Sequence, residues 1–542
     1  MLPPTIPEAI AFRRLDSDAD PWVSRLDVEN RSLSRVRPEA LTRLARAAFR
    51  EVNFFLRSRR LEEIAAILDD PEASEGDRLV ARMAIDNAVL SARGQLPLCQ
   101  DTGTASVFAW KGERVLTFDD DAARLTEGIA QTYAEEYLRH SLLLPRSTFE
   151  EENSGSNLPA LIEIASCPGD EYRLLFVAKG GGSSNKTQLF QAAPSLLSAD
   201  RLERFLVDKL RALGTAACPP YRVAIVIGGL SPESCLAHAK LASCGVLDDL
   251  PERPTGQPAL AELGGWIFRD RGLETRLLDA TRHFGVGAQL PGRFFALDTR
   301  VIRMPRHSAS LPIAIAVSCL ADRQIWGRIG RDGVWLEQLE AHPERFARAT
   351  SVTNALSRPI PLDLRRPMAD IRAELSQHPV GTRFTLHGPL VVARDLAHAR
   401  LRSLIEAGAS VPEAFFQHPV YYAGPARTPP NHPCGSFGPT TAGRMDGDLD
   451  FFQSRGAALI TLAKGNRGAA ARESCRRHGG FYLGTIGGTA ALVAHDFIRS
   501  SRVLAFEELG MEALYLIEVE GLPAFTIVDD KGGDLYAPLG GG

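Results

Sequence analysis

A chain of 542 residues exceeds what one hydrophobic core usually organises, so two or more domains are expected, with the ordinary composition of a globular protein. The formal net charge of -4 carries no basic signature for nucleic acid, although a neutral total can still hide a local arginine cluster that serves an anionic ligand. Apolar runs such as "LPIAIAVSCLA" are too short to span a bilayer, and "MLPPTIPEAIAFRRLDSDAD" lacks a secretory core, which predicts a cytoplasmic protein without membrane partners.

In chain order, residues 38–68 show apolar residues at helical spacing and predict a helix. "DRLVARMAIDNAVLSARG" repeats the pattern and ends at Gly94, a C-cap candidate. Strand-like runs follow: "ALIEIAS", "YRLLFVAKGGG" and "YRVAIVIGG", with the helix "ADRLERFLVDKLRALG" between the last two. The alternation predicts an α/β class. Prolines and charges in "SRPIPLDLRRPM" suggest a linker. A second α/β unit then runs through "TRFTLHGPLVVARD", "LAHARLRSLIEAG", "AALITLAKG", "FYLGTIGG" and "ALYLIEVEGLPAFTIVDD". We therefore expect an N-terminal α/β domain over 1–335, a linker over 336–367 and a C-terminal α/β domain over 368–542. Glycine-rich strand ends in both units place an active site between them.

Four stretches are dense in polar and glycine residues. "AKGGGSSNKTQLF" reads equally as a tight turn or as an anion-binding loop, and it is not a nucleotide P-loop. "YYAGPARTPPNHPCGSFGPTTAGRMD", over 421–446, is too rich in Pro and Gly for regular structure, and its crowded Thr440, Thr441 and Arg444 favour a functional loop. Lys464 in "LAKGNRG" reads by itself as a solvated strand end, and His307 in "VIRMPRHSAS" as a structural histidine. None of the eight cysteines forms a C-x-x-C pair, which disfavours zinc ribbons and ferredoxin-type runs. Cys167 ends a strand, and Cys235, Cys244 and Cys475 fall in helix-like segments, so these default to packing. Cys434 is ambiguous. Cys99, Cys218 and Cys319 sit beside turns or strand edges, where each could present a thiolate.

Together these stretches resemble the class I, iron–sulfur-dependent fumarate hydratase family. The ordered matches are "LPLCQDTGTA", "NLPA", "AKGGGSSNKT", "LGTAACPPY", "VIRMPRHSAS", "RPMADI", "VVARDLAHA", "HPVYYAGPA", "GPTTAGRMD", "LAKGNR", "HGGFYLGTIGG", "LGMEA" and "PAFTIVDDKG". They cover roughly residues 40–535. The resemblance implies that Cys99, Cys218 and Cys319 hold a [4Fe–4S] cluster whose fourth iron lacks a protein ligand, as a catalytic metal requires. It implies hydration of fumarate to (S)-malate. It maps substrate contacts onto Gln100, Asp101, Arg139, Gly182, Arg394, Arg444 and Lys464, and a basic residue near the cluster onto His307. Thr440 aligns with the group that handles the carbon-bound proton, and Asp101 with the acid that serves the hydroxyl. The cluster would lie in the N-terminal domain and several substrate contacts in the C-terminal one, within a homodimer.

Three departures stand out. "HSLLLPRSTF" replaces a Gln-Asn-Ala-Pro-like segment, "GGLSPES" replaces Gly-Gly-Thr-Ser-Ala-Glu, and Leu311 stands where relatives often carry cysteine. The last supports Cys319 as the ligand. The first two open the substrate to other diacids, with mesaconate hydratase or tartrate dehydratase as same-mechanism alternatives. A regulatory or electron-transfer iron–sulfur protein is the alternative from another class. It predicts four converging cysteines and does not need the Arg/Lys/Thr set.

Overall fold

The structure is a computed structural model that describes residues 6–28, 31–256, 263–347 and 358–537. The helical pattern over 38–68 folds as two helices, α1 (Pro38–Phe54) and α2 (Ser58–Asp69). Phe55 and Arg57 between them are extended. Distant partners set this break: Arg57 grips Glu337 through two bonds of 2.7 and 2.9 Å, and Glu340 N–H donates to the Leu56 carbonyl at 2.8 Å. No Gly or Pro marks it locally, so the periodicity runs through. The next helix, α3 (Glu75–Ser91), starts with a capping box between Ser74 and Asp77. Gly94 follows its end at φ +75°, a conformation glycine adopts without strain.

The N-terminal half holds two sheets. The six-stranded sheet contains β1 (Thr104–Gly112), with β2 (Leu161–Cys167) parallel on one side and β3 (Tyr172–Lys179) antiparallel on the other. Gln324–Gly330, Gly333–Glu337 and Phe12–Arg14 complete it. The five-stranded sheet has β4 (Tyr221–Gly229) at its centre, between β5 (Ala296–Arg306), parallel, and β6 (Leu311–Ser318), antiparallel. β4 and β6 are buried along their whole length, which fits the apolar runs 223–227 and 311–317.

The C-terminal half is one seven-stranded sheet. Its parallel strands include β7 (Arg383–Val392), which leads into helix α4 (Asp395–Glu406), then β8 (Val420–Tyr421), β9 (Ile460–Ala463) and β10 (Phe481–Gly484). The long antiparallel β11 (Leu514–Val528) pairs with β10 and also returns to β7, from Arg383↔Phe525 to Val392↔Tyr515. That second pairing closes a ring, so β7 and β11 gain partners on both sides.

The segment 336–367 departs from the linker reading at both ends. Residues 336–337 belong to the strand Gly333–Glu337, and Ile360–Asp363 is the edge strand of the C-terminal sheet, parallel to β7. Pro361 is tolerated because an edge strand has one side free of ladder bonds, and Leu362 turns into the core. Residues 348–357 of that segment lie outside the described residues. The loop 421–446 is largely irregular, as expected, but Ala423–Pro425 pairs with Phe437–Pro439 and Ala442–Met445 forms a 3₁₀ turn. One buried apolar cluster joins the halves, with Leu213, Ala217 and Leu320 packed in the same core as Ala442, Ile486 and Phe525.

Candidate active site

Strand register gathers the predicted residues. Thr104 pairs with Lys179, so Cys99–Gly103 before β1 and Gly180–Gly182 after β3 share one sheet end. Gly103 is required there: at φ +83° it lies so close to the Lys179 backbone that a Cβ would sit 2.8 Å away. Arg222 pairs with Ser318, which puts Cys218 and Cys319 at one end of β4 and β6. Leu320 N–H donates to the Cys218 carbonyl at 3.0 Å and ties those two turns together. In the other half Arg394, Lys464 and Gly487 all follow the carboxyl ends of parallel strands, where α/β sheets favour ligands.

Lys464 spans the two halves. Its Nζ donates to Cys218 Sγ at 2.8 Å. Burial pulls its pKa down, but the Cys218 and Cys99 thiols, with Cys319, raise it to about 12. Burial pushes Cys218 up to about 11 and raises Cys99, whereas Lys464 favours the thiolate of both and Arg323 that of Cys99. All eight cysteines are free. A Cβ at Gly487 would fall 2.5 Å from Cys218 Sγ and 2.7 Å from Lys464 Cδ, so glycine keeps that space open. Gln289 fixes Gly487 by accepting its N–H at 2.8 Å and donating to its carbonyl at 3.0 Å. Among the described residues no three His, Cys, Asp or Glu side chains close around a single metal ion. Thiolates on separate irons of a cube stand further apart than ligands of one ion.

A cationic group lies beside the thiols. Asp101 accepts from the Gly181 N–H at 2.7 Å, and Arg323 donates to the Asp101 carbonyl at 2.7 Å. Burial favours the neutral acid, but Arg139, Arg323, the Gly181 N–H and Lys464 hold the carboxyl below the usual range. Arg394 is buried and donates to Glu512 at 2.7 Å. Burial and then Arg139 push its guanidinium down to about 9, against the pull of Glu512. Buried guanidiniums that repel one another form a ready anion site. Arg139 Nε meets the Met511 sulfur, and both residues line a cleft of about 370 Å³ with His140, Arg427 and Tyr515.

The other expected residues divide. Gln100 is buried and donates to the Pro439 carbonyl at 3.2 Å, and a Cβ at Gly438 would strike its amide at 2.3 Å. Gly182 faces Lys464, whose Nζ would be 3.8 Å from a Cβ there. Thr440 is buried, its N–H bonded to the Tyr422 carbonyl at 2.7 Å and its carbonyl accepting from Lys464 N–H at 3.1 Å. Arg444 is exposed and pairs with Asp395 at 2.9 Å, close enough to repel Arg394. His307 is not brought to this group. It is exposed in the turn between β5 and β6, and the eight residues of β6 separate it from Cys319 by about 25 Å.

The sequence departures also lie elsewhere. Leu143–Pro145 forms a hairpin with Glu151–Asn153 whose Leu143 is exposed, so only His140 of "HSLLLP" lines the cleft. "GGLSPES" begins at the end of β4 remote from Cys218. Leu311 starts β6, opposite Cys319. Sequence reasoning gave no role to Arg323, Gln289 or Glu512. Glu512 lies within the quoted "LGMEA", whereas Arg323, four residues after Cys319, carries no periodic or motif signal.

Known proteins resemble the chain over nearly its whole length. The family model for fumarate hydratase (Fumerase) matches residues 42–328, and that for the fumarase C-terminus matches 333–539. The anaerobic class I fumarate hydratase of Escherichia coli K12 is 48% identical over 518 residues, covering 96% of this chain and 93% of that one. The aerobic enzyme of the same strain is 48% identical over 517 residues, 95% and 93% of the two chains. Fumarate hydratase 2 of Leishmania major is 47% identical over 519 residues, 96% and 90% of the two chains. With both halves matched by the two family models and by these relatives, the chain belongs to the class I fumarate hydratase family.

Proposed function

We propose that the chain is a fumarate hydratase, which adds water reversibly across the double bond of fumarate to give (S)-malate. The observation that carries the reading is the 2.8 Å contact between Lys464 and Cys218, which joins a C-terminal cation to an N-terminal thiol that Cys99 and Cys319 also face. Three thiols on three turns, a lysine that favours their thiolates and the space kept by Gly487 suit a [4Fe–4S] cluster held by Cys99, Cys218 and Cys319. When bound, such a cluster supplies a Lewis-acidic iron with an open position.

The remaining work falls to side chains. Arg139, Arg394 and Lys464 would bind the two carboxylates of the diacid, the guanidiniums by forked hydrogen bonds. Arg139 and Lys464 would also stabilise the negative charge that builds on a carboxylate when the neighbouring carbon carries an unshared pair. Asp101, held by the Gly181 N–H, would take a proton from the attacking water. Thr440 would deliver a proton to the adjacent carbon, and return of the proton from Asp101 to Thr440 restores both groups. The net change is one water added. Gln100 and Gly182 would shape the pocket, and Arg444, through Asp395, would support the start of α4.

Because "LLLP" and "GGLSPES" lie away from this group, the structure favours fumarate over a methyl-bearing or hydroxylated diacid. The reading includes a homodimer, to be measured by light scattering. The main test is anaerobic reconstitution with iron and sulfide, an absorption spectrum, and parallel assays with fumarate, mesaconate and tartrate. Cluster absorbance with fumarate as the fastest substrate is expected. No turnover of any diacid would overturn the reading, and preference for mesaconate or tartrate would replace its substrate.

A further inference from the structure

We propose that Glu512 is the positioning residue of Arg394, a single carboxylate that sets the angle at which this guanidinium meets a substrate carboxylate. The inference rests on the fumarate hydratase reading.

Both oxygens of Glu512 are used. Oε1 accepts from Arg394 Nη2 at 2.7 Å, and Oε2 accepts from the Leu396 N–H at 3.0 Å. Arg394 is itself the residue at which α4 begins, and its side chain does not cap the helix. The first-turn N–H groups of a helix need acceptors, and an anion there also suits the helix dipole. Asp395, the nearest acid in sequence, is already engaged by Arg444. Glu512, 118 residues from Arg394, therefore caps the helix and clamps the arginine together. The guanidinium cannot turn without breaking one of these bonds.

One edge of Arg394 stays free. Its Nε is buried and, among the described residues, has no hydrogen-bond partner. The space beside it exists because residue 424 is glycine: a Cβ there would stand 3.4 Å from Nε and 3.6 Å from Cζ. A buried donor without a partner is costly, so the site is arranged for an acceptor that arrives with the ligand. The preceding residue, Met511, places its sulfur against Arg139. One turn thus touches both guanidiniums, and the carboxylate of Glu512 offsets the repulsion that Arg139 imposes on Arg394.

A clamp of this kind serves substrate and transition state alike, because both carry the bound carboxylate. Its loss should raise KM more than it lowers kcat. The test uses reconstituted holoenzyme carrying Glu512→Ala, Glu512→Gln or Glu512→Asp. Glu512→Ala should raise KM for fumarate and for malate about 10-fold or more, with kcat within about threefold of the parent. Glu512→Asp should recover part of the loss because it keeps the charge. Affinity for succinate, an unreactive diacid, should weaken by a similar factor in calorimetry, and Glu512→Ala should add little in an Arg394→Lys background. Iron content should match the parent, and the melting temperature should fall only by the few degrees that a lost helix cap costs. An unchanged KM, or a parallel fall in kcat, iron content and melting temperature without rescue by Glu512→Asp, would overturn the inference while the parent remains active. A parent that turns over no fumarate would overturn the functional reading and this inference with it.

Discussion

The ammonium of Lys464, just past the end of a C-terminal strand, lies 2.8 Å from the Cys218 sulfur of the N-terminal half. The pair joins two segments separated by 246 residues, and each partner shifts the titration of the other toward the charged pair. Removing the ammonium while keeping the stem isolates the charge. Lys464→Met should lower kcat/KM for fumarate by about 100-fold, the scale of one buried charge-assisted contact. A loss below about tenfold at unchanged iron content would show that Lys464 only packs.

The thiols separate by position. Lys464 contacts Cys218 and feels the charge of Cys99 and Cys319, whereas Cys167 closes the edge strand β2 and Cys434 is buried in the 421–446 loop. After anaerobic reconstitution, Cys99→Ser, Cys218→Ser and Cys319→Ser should each lose iron, visible absorbance and turnover. Cys167→Ser should retain all three. Equal iron-to-protein ratios in Cys319→Ser and Cys167→Ser would refute the ligand assignment.

Gly487 offers a test by volume alone. A methyl group there meets Cys218 Sγ at 2.5 Å and Lys464 Cδ at 2.7 Å, both below any normal contact. Gly487→Ala should displace the thiol and lower iron content and activity together. Gly447→Ala is the control, because a Cβ at Gly447 meets nothing within 4 Å. If both variants bind iron like the parent, the space beside Cys218 is not needed.

Much of this site was legible in the sequence because its residues sit where local signals are strong. Cys99, Gly182, Arg394 and Lys464 all follow or precede readable strands or turns, so motif order and fold coincide. Their convergence was not legible, since it depends on registers such as Arg222↔Ser318 and Thr104↔Lys179. The break at Phe55–Arg57 was hidden because Glu337 and Glu340, not a local breaker, impose it. Pro361 misled in the opposite sense, because proline on an edge strand looks like a linker. His307 matches in sequence order, yet within one chain the length of β6 holds it away from Cys319. Glu512 and Arg323 act through tertiary contacts that leave no periodic trace.

The last prediction concerns acid stability and stands apart from the thiols. His398, inside α4, is buried against Tyr422, Phe452 and Phe415, with ring centroids 4.9, 5.4 and 6.4 Å away. Burial pushes its pKa down to about 4, opposed by Asp448 and Asp395 and aided by Arg467. The unfolded chain returns this imidazole to about 6.5. Between those values the unfolded state binds the extra proton, so stability is intact above about pH 6.5 and drains away as the pH falls toward 4. The full loss is about 3 kcal/mol, of which about 2 kcal/mol is gone by pH 5. His398→Phe removes the titration while keeping an aromatic ring in the cluster. Its urea midpoint should therefore fall less than the parent's between pH 7.5 and pH 5, whatever the offset between the two proteins at neutral pH. Parallel curves over that interval would show that the acid sensitivity of the fold arises elsewhere.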